Sequence, residues 1–315
     1  MTTSPHPSTV DAVPAGAVVV ALDGSEHAER ALTCGAQQAA LEHRTLVLAH
    51  ASGAEIAHAT TVLGPALPVP GLAQELHTAA ARLLDESAGR VVAEHPDLRV
   101  LTVASDDDAR RMLLELAREA HLVVLGSRGR GVVRSLVLGS VSAAVARHAT
   151  CPVVVSRPGG PPAPTAGVLV GVDGGKGSAQ VAEVAFRMAS FRGLPLTVVH
   201  CYWDAVAAYA AAYPGTAADV DNADRLADLS ALVSSTLAGL GEKFPDVVVT
   251  RRLAHGLVDQ VLTEGSQTWD LVVVGRHPRS GWAHLMGHSL SSAVLERARC
   301  TVVVVPHDAS TTDHP

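Results

Sequence analysis

Ala17-Val-Val-Val-Ala-Leu-Asp23-Gly24 and Val168-Leu-Val-Gly-Val-Asp173-Gly174 carry one signal twice, an apolar run that stops on Asp-Gly. Reading outward, Thr45-Leu-Val-Leu-Ala-His50 is answered by Leu196-Thr-Val-Val-His200, and Leu122-Val-Val-Leu-Gly126 by Leu271-Val-Val-Val-Gly275. Cys151-Pro-Val-Val-Val155 is answered by Cys300-Thr-Val-Val-Val304, and the offset stays near 150 residues throughout. Four blocks repeated in one order imply a duplicated domain. A chain of 315 residues has room for two domains of roughly 150 residues each. The seam is Arg157-Pro-Gly-Gly-Pro-Pro-Ala-Pro-Thr-Ala-Gly167, where turn residues cluster and apolar periodicity stops. The expected organisation is a disordered arm at 1–16, domain one at 17–157, a linker at 158–167, domain two at 168–306 and a frayed tail at 307–315.

The runs Val18-Val-Val and Val153-Val-Val have no alternation of polar and apolar residues, so both faces of those strands are expected to be buried. In the first half, strands are expected near 17–22, 45–50, 98–104, 122–126 and 152–156, and helices near 26–41, 72–94, 108–119 and 140–148. Short strands alternating with longer helices give an α/β fold, here two tandem doubly wound parallel five-stranded sheets. Such sheets bind ligands at the carboxyl ends of strands, where the winding reverses. Functional residues are therefore expected just after strands one and four.

Composition removes several classes. Hydrophobic residues make up 48% and charged residues 17%, which excludes a disordered chain. Mean hydropathy is +0.25, yet no run of about 18 apolar residues exists, so no membrane span is expected. A net charge of −7 disfavours nucleic-acid binding. Cys34, Cys151, Cys201 and Cys300 form no CxxC pair, which suits a reduced cytoplasmic protein with thiols as small apolar groups. Met1 to Gly16 lacks the basic start and apolar core of a secretory signal. Every Phe, Tyr and Trp lies beyond residue 180, so a base bound in the first half meets backbone groups and aliphatic walls instead of rings.

After the fourth strand of the first half comes Gly126-Ser-Arg-Gly129, then nine residues, then Gly139-Ser140 at a helix start. Glycines let the backbone approach a ligand, and the first N–H groups of a helix favour an anion. Arg128, Arg130 and Arg134 add positive charge, and Ser140 adds a hydroxyl. The same pattern also fits a long surface loop with turn glycines and a Ser cap. Asp23 in Asp23-Gly24-Ser25 can accept hydrogen bonds from a base or ribose, or it can serve the start of the next helix.

These residues resemble the universal stress protein family in its tandem two-domain form. The family's ATP signature is Gly, two residues, Gly, nine residues, Gly, then Ser or Thr, and Gly126, Gly129, Gly139 and Ser140 fit it without a gap. Asp23-Gly24-Ser25, His50 and His148-Ala-Thr-Cys151-Pro-Val-Val-Val also resemble the family, and the likeness covers nearly all of both halves. The resemblance implies an adenine nucleotide alpha hydrolase-like, Rossmann-like fold. It implies that Asp23 and Ala51 face adenine, and that Gly126, Gly129, Gly139, Ser140 and Val141 surround ribose and phosphates, with Arg128 in the same loop. The implied ligand is ATP, with or without Mg2+. The family is associated with stress survival and growth control.

The second half departs from that signature. Asp173, Gly275 and Ser289 keep matching places, but Pro278 replaces one loop glycine and His288 another. Proline removes a donor, and histidine fills space otherwise open to phosphate. Arg276, His277 and Arg279 still offer charge, and Tyr202 and Trp203 could stack on a base or plug an empty pocket. A degraded second site is expected.

Other motifs are weaker. His284 and His288 are four apart, but a glycine interrupts and no metalloprotease glutamate follows. Asp106-Asp107-Asp108 is better read as helix-start acids than as a Mg2+ site. No nucleophile elbow, Walker A loop or catalytic base can be picked out. The expected function is a nucleotide-dependent regulator with an unknown protein partner. A slow ATPase or nucleotide-transferring enzyme, and a scaffold with vestigial sites, are the alternatives. The valine-rich fifth strands read as sheet edges that need covering, and the resemblance, in which such strands often pair domain to domain, implies an intrachain pseudo-dimer of the halves and a homodimer of chains.

Overall fold

The computed structural model describes residues 13–53, 71–129, 138–157, 166–175, 177–202, 222–276 and 289–307. The arm to residue 12, most of the expected linker and the tail from 308 lie outside the described residues. The chain divides into two compact units, Met1–Pro158 and Gly159–Pro315.

Unit one runs β1 (Val18–Ala21), α1 (Glu26–Leu41), β2 (Leu46–Ala51), α2 (Leu72–Glu94), β3 (Val100–Ser105), α3 (Ala109–Leu116), β4 (Leu122–Gly126), α4 (Ser140–His148) and β5 (Val153–Ser156). Its strand order is β3-β2-β1-β4-β5. The pairs are parallel, with Val19 opposite both Val47 and Val123, and Val123 opposite Val153. The valine runs are buried on both faces, as their lack of alternation requires. The winding reverses between β1 and β4, so the crevice lies beyond Asp23 and Gly126.

α1 begins where the Ser25 hydroxyl accepts the Ala28 N–H at 3.2 Å, after Gly24 turns at a φ of 72°. Its inner face is Ala28, Ala31, Leu32, Gly35, Ala36 and Ala39, small enough for close packing on the sheet. A Cβ at Gly35 would overlap the Val20 side chain. The three acids before α3 resolve into a cap. Asp108 accepts from the N–H groups of Arg110 and Arg111 at 2.9 and 3.4 Å, and the helix is shorter than the expected 108–119.

The far end of α1 carries a buried carboxylate. Glu42 is 2% exposed and meets Arg44 at 3.1 Å and His121 at 2.7 Å, with Gln38 as a third partner. Burial alone would raise its pKa. Hydrogen bonds from His121, Gln38 and Arg44 override that and hold it down at about 2.

Unit two runs β6 (Val168–Gly171), α5 (Ser178–Arg192), β7 (Leu196–Tyr202), α6 (Asn222–Thr236), α7 (Leu240–Lys243), β8 (Val249–His255), α8 (Val258–Thr263), a 3-10 turn (Ser266–Thr268), β9 (Leu271–Gly275), α9 (Leu290–Arg297) and β10 (Thr301–Val305). Its order is β10-β9-β6-β7-β8, again with parallel pairs. The winding reverses between β6 and β9. Tyr202 is the last residue of β7 and does not follow the strand, because its register continues to His255 of β8. None of the four cysteines is joined in a disulfide, Cys151 and Cys300 being buried and Cys34 and Cys201 half-buried. No described helix is long and apolar enough to cross a membrane.

Candidate functional site

In unit one the residues after β1 and β4 meet. Asp23 accepts the Ser25 N–H at 3.0 Å through Oδ1, which turns the chain into α1. Its Oδ2 lies against Gly129, where any Cβ would overlap it. Gly126 ends β4 under the first turn of α1, and a Cβ there would sit 2.7 Å from the carbonyl carbon and oxygen of His27. The Gly139 N–H donates to the Ser127 carbonyl at 2.8 Å, and a Cβ at Gly139 would stand 3.4 Å from the Arg128 Cα. The Ser142 hydroxyl donates to the Gly126 carbonyl at 2.7 Å. Asp23, Gly126, Arg128, Gly129 and Gly139 therefore converge, and the two described ends of the glycine loop are tied together.

α4 opens on Gly139, which is extended at φ −68° and ψ 148° and makes no side-chain cap bond. Ser140 is the first helical residue and is exposed, so it does not cap the helix. The N–H groups of Ser140 and Val141 open the helix next to the exposed Arg128. Ala51 ends β2 opposite Ser105, half-buried. A hollow of about 780 Å3 runs along α2, lined by Gly24, Glu29, His50, Leu76, Arg82 and Arg90 among others. Arg130 and Arg134 lie outside the described residues.

His50 is buried, and its Nδ1 lies 2.7 Å from the Leu22 carbonyl. A carbonyl can only accept, so Nδ1–H donates. His200 makes the same bond to Val172 at 3.0 Å in unit two. Both histidines tie the second strand of a unit to the end of the first.

His27 and Ser127 meet at the same strand ends and were not assigned from sequence. They share a hydrogen bond at 3.2 Å, with Ser127 buried beneath the loop. Burial, then Arg30 and Arg128, push the His27 pKa below its ordinary value, against Glu26 and Asp23. The imidazole is held neutral beside the loop. The only signal for it was its place in the first turn after Asp-Gly-Ser.

Unit two arranges the same positions differently. The Gly175 N–H donates to Asp173 Oδ1 at 2.9 Å, and the Ser178 hydroxyl donates to the same oxygen. Ser178 Oγ in turn accepts the N–H groups of Asp173 and Gly174, each at 3.1 Å. The Asp173 carboxylate is thus held by its own turn. Ser289 is the N-cap of α9 and accepts the Ser292 N–H at 3.2 Å, which occupies a donor that a phosphate would use. A Cβ at Gly275 would stand 3.0 Å from the Val181 side chain. The Tyr202 ring packs edge-on against His255, with centroids 5.5 Å apart. Trp203, His277, Pro278, Arg279, His284 and His288 lie outside the described residues.

A tandem pair of Rossmann-like α/β sheets, with glycines converging at one switch point, defines the class of protein. The chain belongs to the universal stress protein family, whose description, Universal stress protein family, matches residues 15–157 and 167–306. It is 35% identical over 301 residues to Universal stress protein Rv2005c of Mycobacterium tuberculosis, covering 91% of this chain and 96% of that one. Universal stress protein Rv2623 of the same organism is 32% identical over 295 residues, covering 91% and 95%. The crystal structure of a universal stress protein from Archaeoglobus fulgidus DSM 4304 superposes with a TM-score of 0.66 at 16% identity, covering 93% and 97% of the two chains, a likeness of fold.

Proposed function

We propose that this chain is a nucleotide-dependent regulator in stress response or growth control, acting in the cytoplasm, with ATP held by unit one. The observation that carries the reading is the uncapped start of α4 on Gly139, packed against Arg128 and facing the Asp23–Gly129 contact. Phosphates would lie on the Ser140 and Val141 amides with Arg128 alongside, and ribose would lie against Gly126 and Gly129. Adenine would lie between Asp23 and Ala51, over aliphatic walls. No cluster of three or more metal-ligating side chains exists among the described residues, so any accompanying Mg2+ would be held chiefly by the phosphates. The regulator works through a protein partner or a second copy of the chain that reads the loaded state.

In unit two, Asp173 and Ser289 are turned onto local partners and Gly275 is packed by Val181, so that unit would bind no ATP. The test is to purify the chain without added nucleotide, denature it and quantify what is released. One ATP per chain supports the reading. Two per chain would overturn the assignment of unit two, and none, with no saturation on titration, would overturn that of unit one.

A further inference from the structure

We propose that the cavity at the β6–β9 switch point of unit two binds a small monocarboxylate with an apolar body. The cavity measures about 210 Å3. That is below the range of about 300–1,000 Å3 usual for sites of drug-sized ligands, so a small ligand is the match. Its walls are Val172, Val181, Val258, Leu262, Val274 and Leu290. Burial pushes the Cys201 thiol above its usual pKa, against a smaller pull from Arg252, so Cys201 lines the cavity as a neutral group.

The space has a structural origin. α1 starts at Glu26, whereas α5 starts at Ser178, two positions later at the repeat offset near 150 residues. Among the described residues, no helical turn covers Gly275 as the first turn of α1 covers Gly126. Among the described residues only the Val181 side chain reaches that glycine, and the His307 ring enters beside Gly177, where a Cβ would overlap it.

The polar groups select the head of the ligand. Arg276 and His307 both line the cavity, one at the end of β9 and the other just past β10. A guanidinium has five N–H donors, so Arg276 can hold a protein partner and a carboxylate together. Asp173 lines it too, with one oxygen engaged by Gly175 and Ser178. Its charge repels a dianion or polyphosphate more strongly than a single carboxylate. An apolar body with one negative head matches this set.

The test uses the full chain with labelled valine and leucine methyls. Isovalerate and benzoate are titrated in, beside isovaleramide, benzamide and inorganic phosphate. The expected result is saturable one-to-one shifts at Val181, Leu262 and Val274, with Val20 and Val124 of unit one unmoved. The amides should bind about tenfold more weakly and phosphate not at all. Arg276→Gln should remove the preference for acid over amide, and Val258→Phe should block both while leaving the melting temperature within a few degrees. No saturable shift, or equal binding of acid and amide to the unaltered chain, overturns the proposal. ATP content measured on the same samples reports separately on unit one, so its loss with acid binding retained would count against the nucleotide reading alone.

Discussion

Units one and two share their strands and differ in how their helices begin. Both sheets reverse between the first and fourth strands, and both use a buried histidine to bind the end of the first strand. In unit one, α1 starts early enough to lie on Gly126, Asp23 touches Gly129, and α4 starts without a cap. In unit two, α5 starts late, Asp173 turns onto Ser178, and Ser289 caps α9. The sheet is a shared scaffold, and ligand chemistry is set by the residues just past the strand ends.

The largest expected effect tests whether the glycines make that difference. Gly129→Asp and Gly139→Asp each place a side chain and a negative charge in the cradle. Each should abolish nucleotide retention in unit one and leave the carboxylate response of unit two intact. Retained nucleotide in either variant would sink the site assignment, and a folded far-UV spectrum serves as the control.

Next comes the base of unit one, which has a different partner set in unit two. At the positions of Glu42 and His121, unit two carries Arg192 and Asp270. A carboxylate depressed from 4.5 to about 2 stabilises the fold fully above its unfolded value and loses that stabilisation as pH falls through about 2. The shift corresponds to about 3 kcal/mol. Glu42→Gln should cost up to about that much at neutral pH, and it should flatten the dependence of stability on pH between about 5 and 2. Denaturant midpoints that run parallel with pH in the two proteins would contradict the role given to Glu42.

The fold could be read because its signals are local and repeated. Val18-Val-Val, Ser25 before Glu26 and the Asp-Gly turn each dictate backbone geometry on their own, and duplication shows each of them twice. The convergence of Asp23, Gly126, Gly129 and Gly139 was legible because it depends on backbone. What depends on side chains meeting across the sheet was not legible. His27 and Ser127 are a hundred residues apart, and no periodicity links them. The serines were harder still. Ser140 and Ser289 occupy matching places, yet one begins a helix and the other caps one, a shift of one residue that sequence spacing does not resolve.

The third effect compares two equivalent glycines. Gly126→Ala would bring a methyl within 2.7 Å of His27 backbone atoms, which cannot rotate away. Among the described residues, Gly275→Ala meets only the Val181 side chain, at 3.0 Å. Overpacking against backbone should cost about 2–3 kcal/mol in unit one, and the second change under about 1 kcal/mol. Equal losses in thermal or denaturant unfolding would mean that the late start of α5 opens no room above Gly275.

The smallest effect separates two serines by what each one holds. Ser140 is exposed and caps nothing, so Ser140→Ala should change stability by under about 0.5 kcal/mol. If its hydroxyl meets phosphate, nucleotide should bind about five- to tenfold more weakly. Ser289 accepts the Ser292 N–H, so Ser289→Ala should cost about 1 kcal/mol of stability and leave nucleotide affinity unchanged. The two variants cross over, one moving affinity without stability and the other stability without affinity. A protein in which both serines served only their helices would lose stability in both variants and affinity in neither.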